Sequence, residues 1–538
     1  MTESRRSFLA TTGGALAALA AGPGILRSRA DYDMILRGGM LYDGTGAPGI
    51  ERDIALLRGR VAAIAARVSG TALTEIDVRG LAVAPGFVDI HSHGDGSLED
   101  DPRAESLIRQ GITTIIAGQD GGSRATGAPE KSFDDLFDGL ERISPSVNVA
   151  SMVGLGTVRG AVVGNADRPT TPSELSSMTA LVEQALAQGA CGASSGLEYT
   201  PGAFASRDEL IALCRPLASR GLVYSTHMRN EDDRLLEAIE ESIAVAQGAG
   251  CGLQISHLKT QGPRNWPRLE RAFALIETAK SQGLDIAFDR YPYVAYSTGL
   301  TNLFPVWSRD GGTEAFLGRL ADSATAPRIR EETLAKVALI GGWDNVMVTS
   351  VGNDDDRPVE GKRLGSFAAA QGSDPYEMTV RLLNRNRGGV GMVGFAMSEE
   401  NLERILAHPL GMVCTDGGSF ATDGPARRGS PHPRGLGTCA RVLGKYVRER
   451  KTLTLEEAIR KMTSAPASRA RLKDRGRLAK DYPADIVVFD PATVIDRATF
   501  EQPFQYPAGI QVVIVRGRIA LRDGTRVGSG NGLALRNR

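Results

Sequence analysis

The chain has only six histidines, and four of them stand where short apolar stretches end. His91 and His93 follow Gly86-Phe87-Val88-Asp89-Ile90, His227 follows Val223-Tyr224-Ser225-Thr226, and His257 follows Gln254-Ile255-Ser256. Residues two apart on an extended strand point to one side, so His91-Ser92-His93 presents two imidazoles together. Asp416 ends the stretch Gly411-Met412-Val413-Cys414-Thr415 in the same way. Imidazole and carboxylate are the ligands of zinc and similar divalent ions. Any one histidine alone reads as an ordinary hydrogen-bonded residue. Four of six at strand ends, joined by an aspartate, point to a cation site. The other two read differently: His408 precedes Pro409 and caps a helix end, and His432 orders the Pro-rich loop before Arg434 or shapes a pocket there.

Side chains so distant in sequence meet only if the chain folds their strands side by side. Strand-like runs cover 86–91, 113–117, 147–153, 192–197, 222–227, 253–257, 285–291 and 411–415, with helical patterns between several of them, as at 208–220, 235–247 and 266–282. Apolar and amphipathic stretches alternating eight times predict a (β/α)8 barrel, whose active site lies at the carboxyl ends of its strands. An open doubly wound sheet is the alternative. The segment at about 297–342 is too long for a βα loop and reads as an insertion or lid. Short β pieces at 33–83 and again at 485–515 bracket the barrel. The expected organisation is therefore one small β-sandwich domain built from residues 31–85 and 466–538, around a barrel at 86–465.

Other chemistries find less support. Lys plus Arg equals Asp plus Glu at 63 each, so nucleic acid loses its usual electrostatic attraction. Five scattered cysteines, an odd number without CxxC spacing, make neither a disulfide framework nor a thiolate zinc knuckle. Gly192-Ala193-Ser194-Ser195-Gly196 matches Gly-x-Ser-x-Gly, but a nucleophile elbow needs a helix next, and Leu197-Glu198-Tyr199-Thr200-Pro201 follows. The glycine-rich stretches form no dinucleotide or P-loop pattern. Residues 1–30 carry Arg5-Arg6, a mildly apolar run and Ser28-Arg29-Ala30, the pattern of a twin-arginine signal peptide. That reading places the mature chain, without a membrane span, in the periplasm or outside the cell, delivered folded by the twin-arginine machinery. The alternative is an ordinary basic amino terminus.

Gly86 to His93 resembles the opening metal motif of the amidohydrolase superfamily. Thr226-His227-Met228-Arg229-Asn230-Glu231, Ser256-His257-Leu258-Lys259, Tyr291-Pro292-Tyr293, and Asp416-Gly417 with His432-Pro433-Arg434 resemble the D-aminoacylase (N-acyl-D-amino-acid deacylase) family, from about Tyr32 to Gly524. The resemblance implies a metal-bearing barrel, zinc above all, with one or two ions. It also implies hydrolysis of an amide beside a D-configured carboxylate. His91, His93, His227, His257 and Asp416 match metal ligands; Lys259, Tyr291, Ser297 and Arg434 match positions around the substrate carboxylate. One departure stands out. Where the family carries a metal-bridging cysteine, this chain has Gln119-Asp120-Gly121. Asp120, a harder ligand that cannot be oxidised, is one candidate bridge, and Glu198 at the end of the fourth strand is the other.

The expected reaction uses metal-activated water on a small-molecule amide, with Asp416 as proton shuttle and Arg434 gripping the substrate carboxylate. The competing readings are another amidohydrolase activity on the same site (dipeptidase, cyclic-amide or lactone hydrolase) and a non-catalytic exported binding protein.

Overall fold

The computed structural model describes residues 30–528 and 530–537. All but the last residue of the twin-arginine segment lies outside the described residues. Among them, no helix is long and apolar enough to cross a membrane.

The strands at Phe87–Asp89, Ile112–Ala117 and Asn148–Ser151 run parallel. A second parallel set contains Val153–Gly154, Gly192–Gly196, Val223–His227, Gly252–Ile255, Ile286–Arg290 and Gly411–Val413. The third strand, 148–154, joins the two sets through Met152 N–H to Ala117 O and Cys191 N–H to Ser151 O, both 2.9 Å. At the other seam Asp416 N–H reaches His91 O at 2.8 Å and His93 N–H reaches Gly417 O at 3.0 Å. The sheet therefore closes as an eight-stranded barrel, and the open doubly wound alternative is set aside. Its staves are covered on both faces, so they are buried almost throughout rather than alternating between buried and exposed. Phe133–Ile143, Pro172–Ala187, Arg207–Ala218, Leu235–Ala249 and Leu269–Ser281 are among the helices between them. Ser132, Thr171 and Ser206 cap the first three with side-chain oxygens.

Both flanks of the chain enter one nine-stranded sheet, in which Ile486–Phe489 pairs antiparallel with Ala82–Pro85. Tyr32–Leu41 pairs with Ala72–Asp77 along its first half and with Ala82–Pro85 along its second, and its antiparallel register with Ile50–Leu57 breaks between Leu36 and Gly39. Met34, Leu36, Ile54, Val61, Ile486, Val488 and Ile514 fill its interior. Phe489 leaves that interior and packs on Phe87 at 6.3 Å between ring centroids, seating the sheet against the base of the barrel.

Two expected boundaries are corrected. The insertion extends well beyond 297–342. Ala295–Gly299 and Val346–Ser350 flank Gly391–Phe395 in an antiparallel three-stranded sheet, so the inserted unit runs from 295 past 390. These partners lie 41–48 and 92–100 residues apart, and pairings of that range leave no local signature. Residues 530–537 also leave the β domain to which 466–538 was assigned. Val149 N–H bonds Leu533 O and Leu535 N–H bonds Val149 O, both at 2.8 Å, which satisfies backbone groups where the third barrel strand begins.

Candidate metal centre

The predicted ligands converge on the barrel's carboxyl-terminal rim, and the backbone is bent to bring them there. Asp120, His257 and Asp416 have φ of 52°, 36° and 47°, a left-handed conformation that costs non-glycine residues of order 1–3 kcal/mol each. Each is over-determined by hydrogen bonds. His257 N–H donates to Asp289 Oδ1 at 2.8 Å. Asp416 is held by its bond to His91 O. The Asp120 loop is pinned by Ser194, whose hydroxyl donates to Gly118 O at 2.6 Å and accepts from Gly121 N–H at 3.0 Å. Ser194 thus sits in a strand interior as a loop anchor, with no imidazole among its hydrogen-bond partners.

Asp120 is the common point of two groups of potential ligands. Its Oδ2 lies 3.3 Å from His91 Nε2 and 3.4 Å from His93 Nε2, and Asp416 Oδ1 lies 3.6 and 3.2 Å from the same two nitrogens. Its Oδ1 lies 3.5 Å from His257 Nε2, which is 3.0 Å from His227 Nδ1. Ligand atoms of His91, His93, Asp120 and Asp416 all fall within 4.8 Å of one another, and so do those of Asp120, His227 and His257. Glu198 belongs to a third such group, with His227 and Glu231, on the far side of His227.

The donor set fits a divalent cation. Both ring nitrogens of His91, and Asp120 Oδ1, are buried without a hydrogen-bond partner, a costly arrangement for a neutral site. Electrostatics agree. Burial works to lower the pKa of His227, yet Glu231, Glu198 and Asp120 together push it up to about 9. His93, open to the cavity, is likewise pushed up to about 10 by Asp120 and Asp416 against desolvation. The carboxylates thus create a field that calls for positive charge, which protons supply when no metal does.

Around the ligands stands a ring that the sequence reading missed. Buried Glu231 accepts from Lys259 Nζ at 2.5 Å and from Gln261 Nε2 at 2.9 Å, and its Oε1 lies 3.0 Å from His257 Nδ1. Asp289 Oδ1 lies 3.6 Å from His91 Nδ1. Carboxylates on the distal nitrogen of a ligating imidazole fix its tautomer and raise its basicity. Glu231 had one signal, its place four residues after His227, whereas Asp289 had none. Lys259 Nζ, expected near the substrate carboxylate, is engaged with Glu231 and with His257 Nδ1 at 2.6 Å.

Arg434 Nη1 donates to Asp416 Oδ2 at 2.7 Å, its Nη2 reaches Ser297 O at 3.4 Å, and its guanidinium stacks on Tyr291 at 4.6 Å from the ring centroid. Arg434 and His91 hold the Asp416 carboxyl well below the usual range despite burial, so it is ionised. His432 bonds Ala295 O through Nε2 at 2.9 Å and Arg434 N–H through Nδ1 at 3.0 Å, which makes it a neutral brace for the loop. His408 terminates the helix Glu399–Ala407. All five cysteines are buried and free. Above the cluster opens a cavity of about 670 Å³, lined also by Glu198, Tyr199, Lys259, Tyr291, Ser297 and Arg434.

The model of the amidohydrolase family matches residues 74–521. The chain belongs to that family. This amidohydrolase is 35% identical to the D-aminoacylase of Alcaligenes xylosoxydans xylosoxydans over 90% of its own length and 94% of the relative's. It is also 35% identical to an N-acyl-D-aspartate deacylase from the same organism, with 93% and 94% covered. Among solved structures it resembles the N-acyl-D-glutamate deacylase of Bordetella bronchiseptica, complexed with zinc and a phosphonate mimic of the tetrahedral intermediate. There the TM-score is 0.80 at 33% identity, covering 94% of this chain and 99% of that one.

Proposed function

We propose that this amidohydrolase cleaves the amide of N-acyl-D-amino acids, releasing a D-amino acid and a carboxylate. The observation that carries the reading is Asp120 reaching both ligand groups beneath a cavity that also holds the Asp416–Arg434 pair. His91, His93, Asp120, His227, His257 and Asp416 would hold one or two divalent ions, with Asp120 shared, and the zinc in the N-acyl-D-glutamate deacylase structure supports zinc. A metal there would lower the pKa of water and polarise the substrate carbonyl.

The protein's own groups perform the rest. Ionised Asp416 accepts the proton of the attacking water. As water oxygen bonds to the acyl carbon and the C–N bond breaks, Asp416 returns that proton to the leaving nitrogen. Arg434 keeps Asp416 ionised and aimed, and its remaining N–H donors hold the substrate α-carboxylate, fixing which face of the Cα meets the site. Glu231 orients the His257 ring, and Asp289 holds the His257 backbone.

The test is a hydrolysis screen of N-acetyl-D- and L-amino acid pairs together with metal analysis. The expected result is D-selective turnover that chelation followed by dialysis abolishes and divalent metal restores. Equal rates on both hands, or activity indifferent to chelation, would overturn the proposal. We also infer export through the twin-arginine system, on the strength of Arg5-Arg6 and the apolar run after it. Replacing both arginines by lysine should retain the enzyme in the cytoplasm; unchanged periplasmic recovery would refute export by that route.

A further inference from the structure

Sequence identity does not choose among the relatives, since deacylases named for D-aspartate and for D-glutamate resemble the chain about as well as the D-aminoacylase does. The charge inventory of the cavity does choose. Resting on the deacylase reading above, we infer that the substrate side chain is uncharged, and that N-acyl derivatives of D-aspartate and D-glutamate are discriminated against.

Apart from histidines, the cavity wall has two cationic side chains, Lys259 and Arg434. Lys259 is committed to Glu231 and His257 deep in the wall. Arg434 is paired with Asp416, and its remaining donors are those the α-carboxylate takes. On that wall no cation is left for a second carboxylate; Arg428 lines an adjoining pocket on the other side of Asp416 and Arg434, not this cavity. Two more lie nearby but behind the wall: Lys336 is tied to Asp232 at 2.5 Å, and Arg309 donates to the Glu198 backbone carbonyl at 3.1 Å. Glu198, a carboxylic side chain, itself faces the cavity. Beyond it the surface is neutral and unobstructed. Gly160 lies exposed on the rim, and a Cβ added there would meet only Pro201 Cγ at 3.7 Å. An acidic side chain entering this space would surrender its hydration to a wall that offers it no cation, whereas a neutral one would lose far less.

The experiment compares kcat/KM for the N-acetyl derivatives of D-leucine, D-phenylalanine, D-aspartate and D-glutamate, and titrates free D-leucine and D-glutamate into the holoenzyme by calorimetry. The neutral substrates should lead by on the order of 100-fold, and D-leucine should bind the more tightly. Gly160→Lys, outside the reacting centre, supplies the missing cation. It should raise the acidic-to-neutral ratio about tenfold and leave N-acetyl-D-leucine turnover within about twofold. Acidic substrates matching or exceeding neutral ones in the native enzyme would overturn the inference while leaving the deacylase reading intact. An unmoved ratio in Gly160→Lys would overturn the charge argument. Failure to hydrolyse any of the four would sink the deacylase reading itself.

Discussion

The nine-stranded sheet and the barrel rim use the same unusual backbone conformation for different ends. In the sheet, left-handed residues come in pairs with glycine, Arg58-Gly59, Arg516-Gly517 and Asp523-Gly524, each forming a two-residue hairpin turn whose twist matches its strands. At the rim, Asp120, His257 and Asp416 adopt it as potential ligands, braced by Ser194, Asp289 and the His91 carbonyl. The interiors differ as well. Ile54, Val513 and Ile514 are fully buried among apolar neighbours, whereas His91 and Asp120 leave buried polar atoms unpartnered. The sheet is built for stability, and the rim holds charge and strain for which stability alone gives no reason.

The largest effect should come from the rim. Asp416→Asn preserves shape and an acceptor for Arg434 but removes the proton carrier. It should lower kcat by about 10³-fold while circular dichroism stays native; near-native turnover would make Asp416 structural and erase the contrast. In the sheet, Ile514→Ala should cost about 2–5 kcal/mol of stability, read by denaturant titration, with kcat unchanged while the protein is folded. A loss of kcat there would mean that the two regions are not separable. Ser194→Ala, at the brace of Asp120, should weaken metal binding about 10- to 100-fold, measured by competition with a chromophoric chelator. Unaltered affinity would show that the Asp120 loop holds itself.

The smallest effect sharpens the electrostatic side of the comparison. In metal-depleted protein the His227 pKa stands near 9, above its ordinary value of 6.5. Its proton therefore stabilises the folded state fully below about pH 6.5, and that contribution disappears as pH rises through 9. The Tm of the chelated protein should fall over this window, and the stabilisation gained on adding metal should widen, since metal no longer competes with a proton. A gap that narrows with rising pH would contradict the ligand assignment at His227.

Much of this was readable from the chain. The barrel strands announce themselves as short apolar runs between turn signals, and four of them end in histidine or aspartate, so the rim was legible before any fold was known. Three features were not. The inserted sheet joins runs at 295, 346 and 391, and nothing local specifies pairing over such separations. Asp289 lies inside a strand and becomes a partner of His91 and His257 only when the barrel closes. Lys259, placed near the substrate carboxylate by the family resemblance, lines the cavity, but its bond to Glu231, 28 residues back in the chain, had no local signal.

The central claim is that imidazoles and carboxylates from separate barrel strands enclose a cation that the reaction requires. Anomalous diffraction at the zinc edge from crystals of catalytically active protein tests it most directly. The account predicts one or two peaks bounded by His91, His93, Asp120, His227, His257 and Asp416, with Asp120 touching both if two are present. Active crystals with no peak there, or with metal bound only elsewhere, would contradict it.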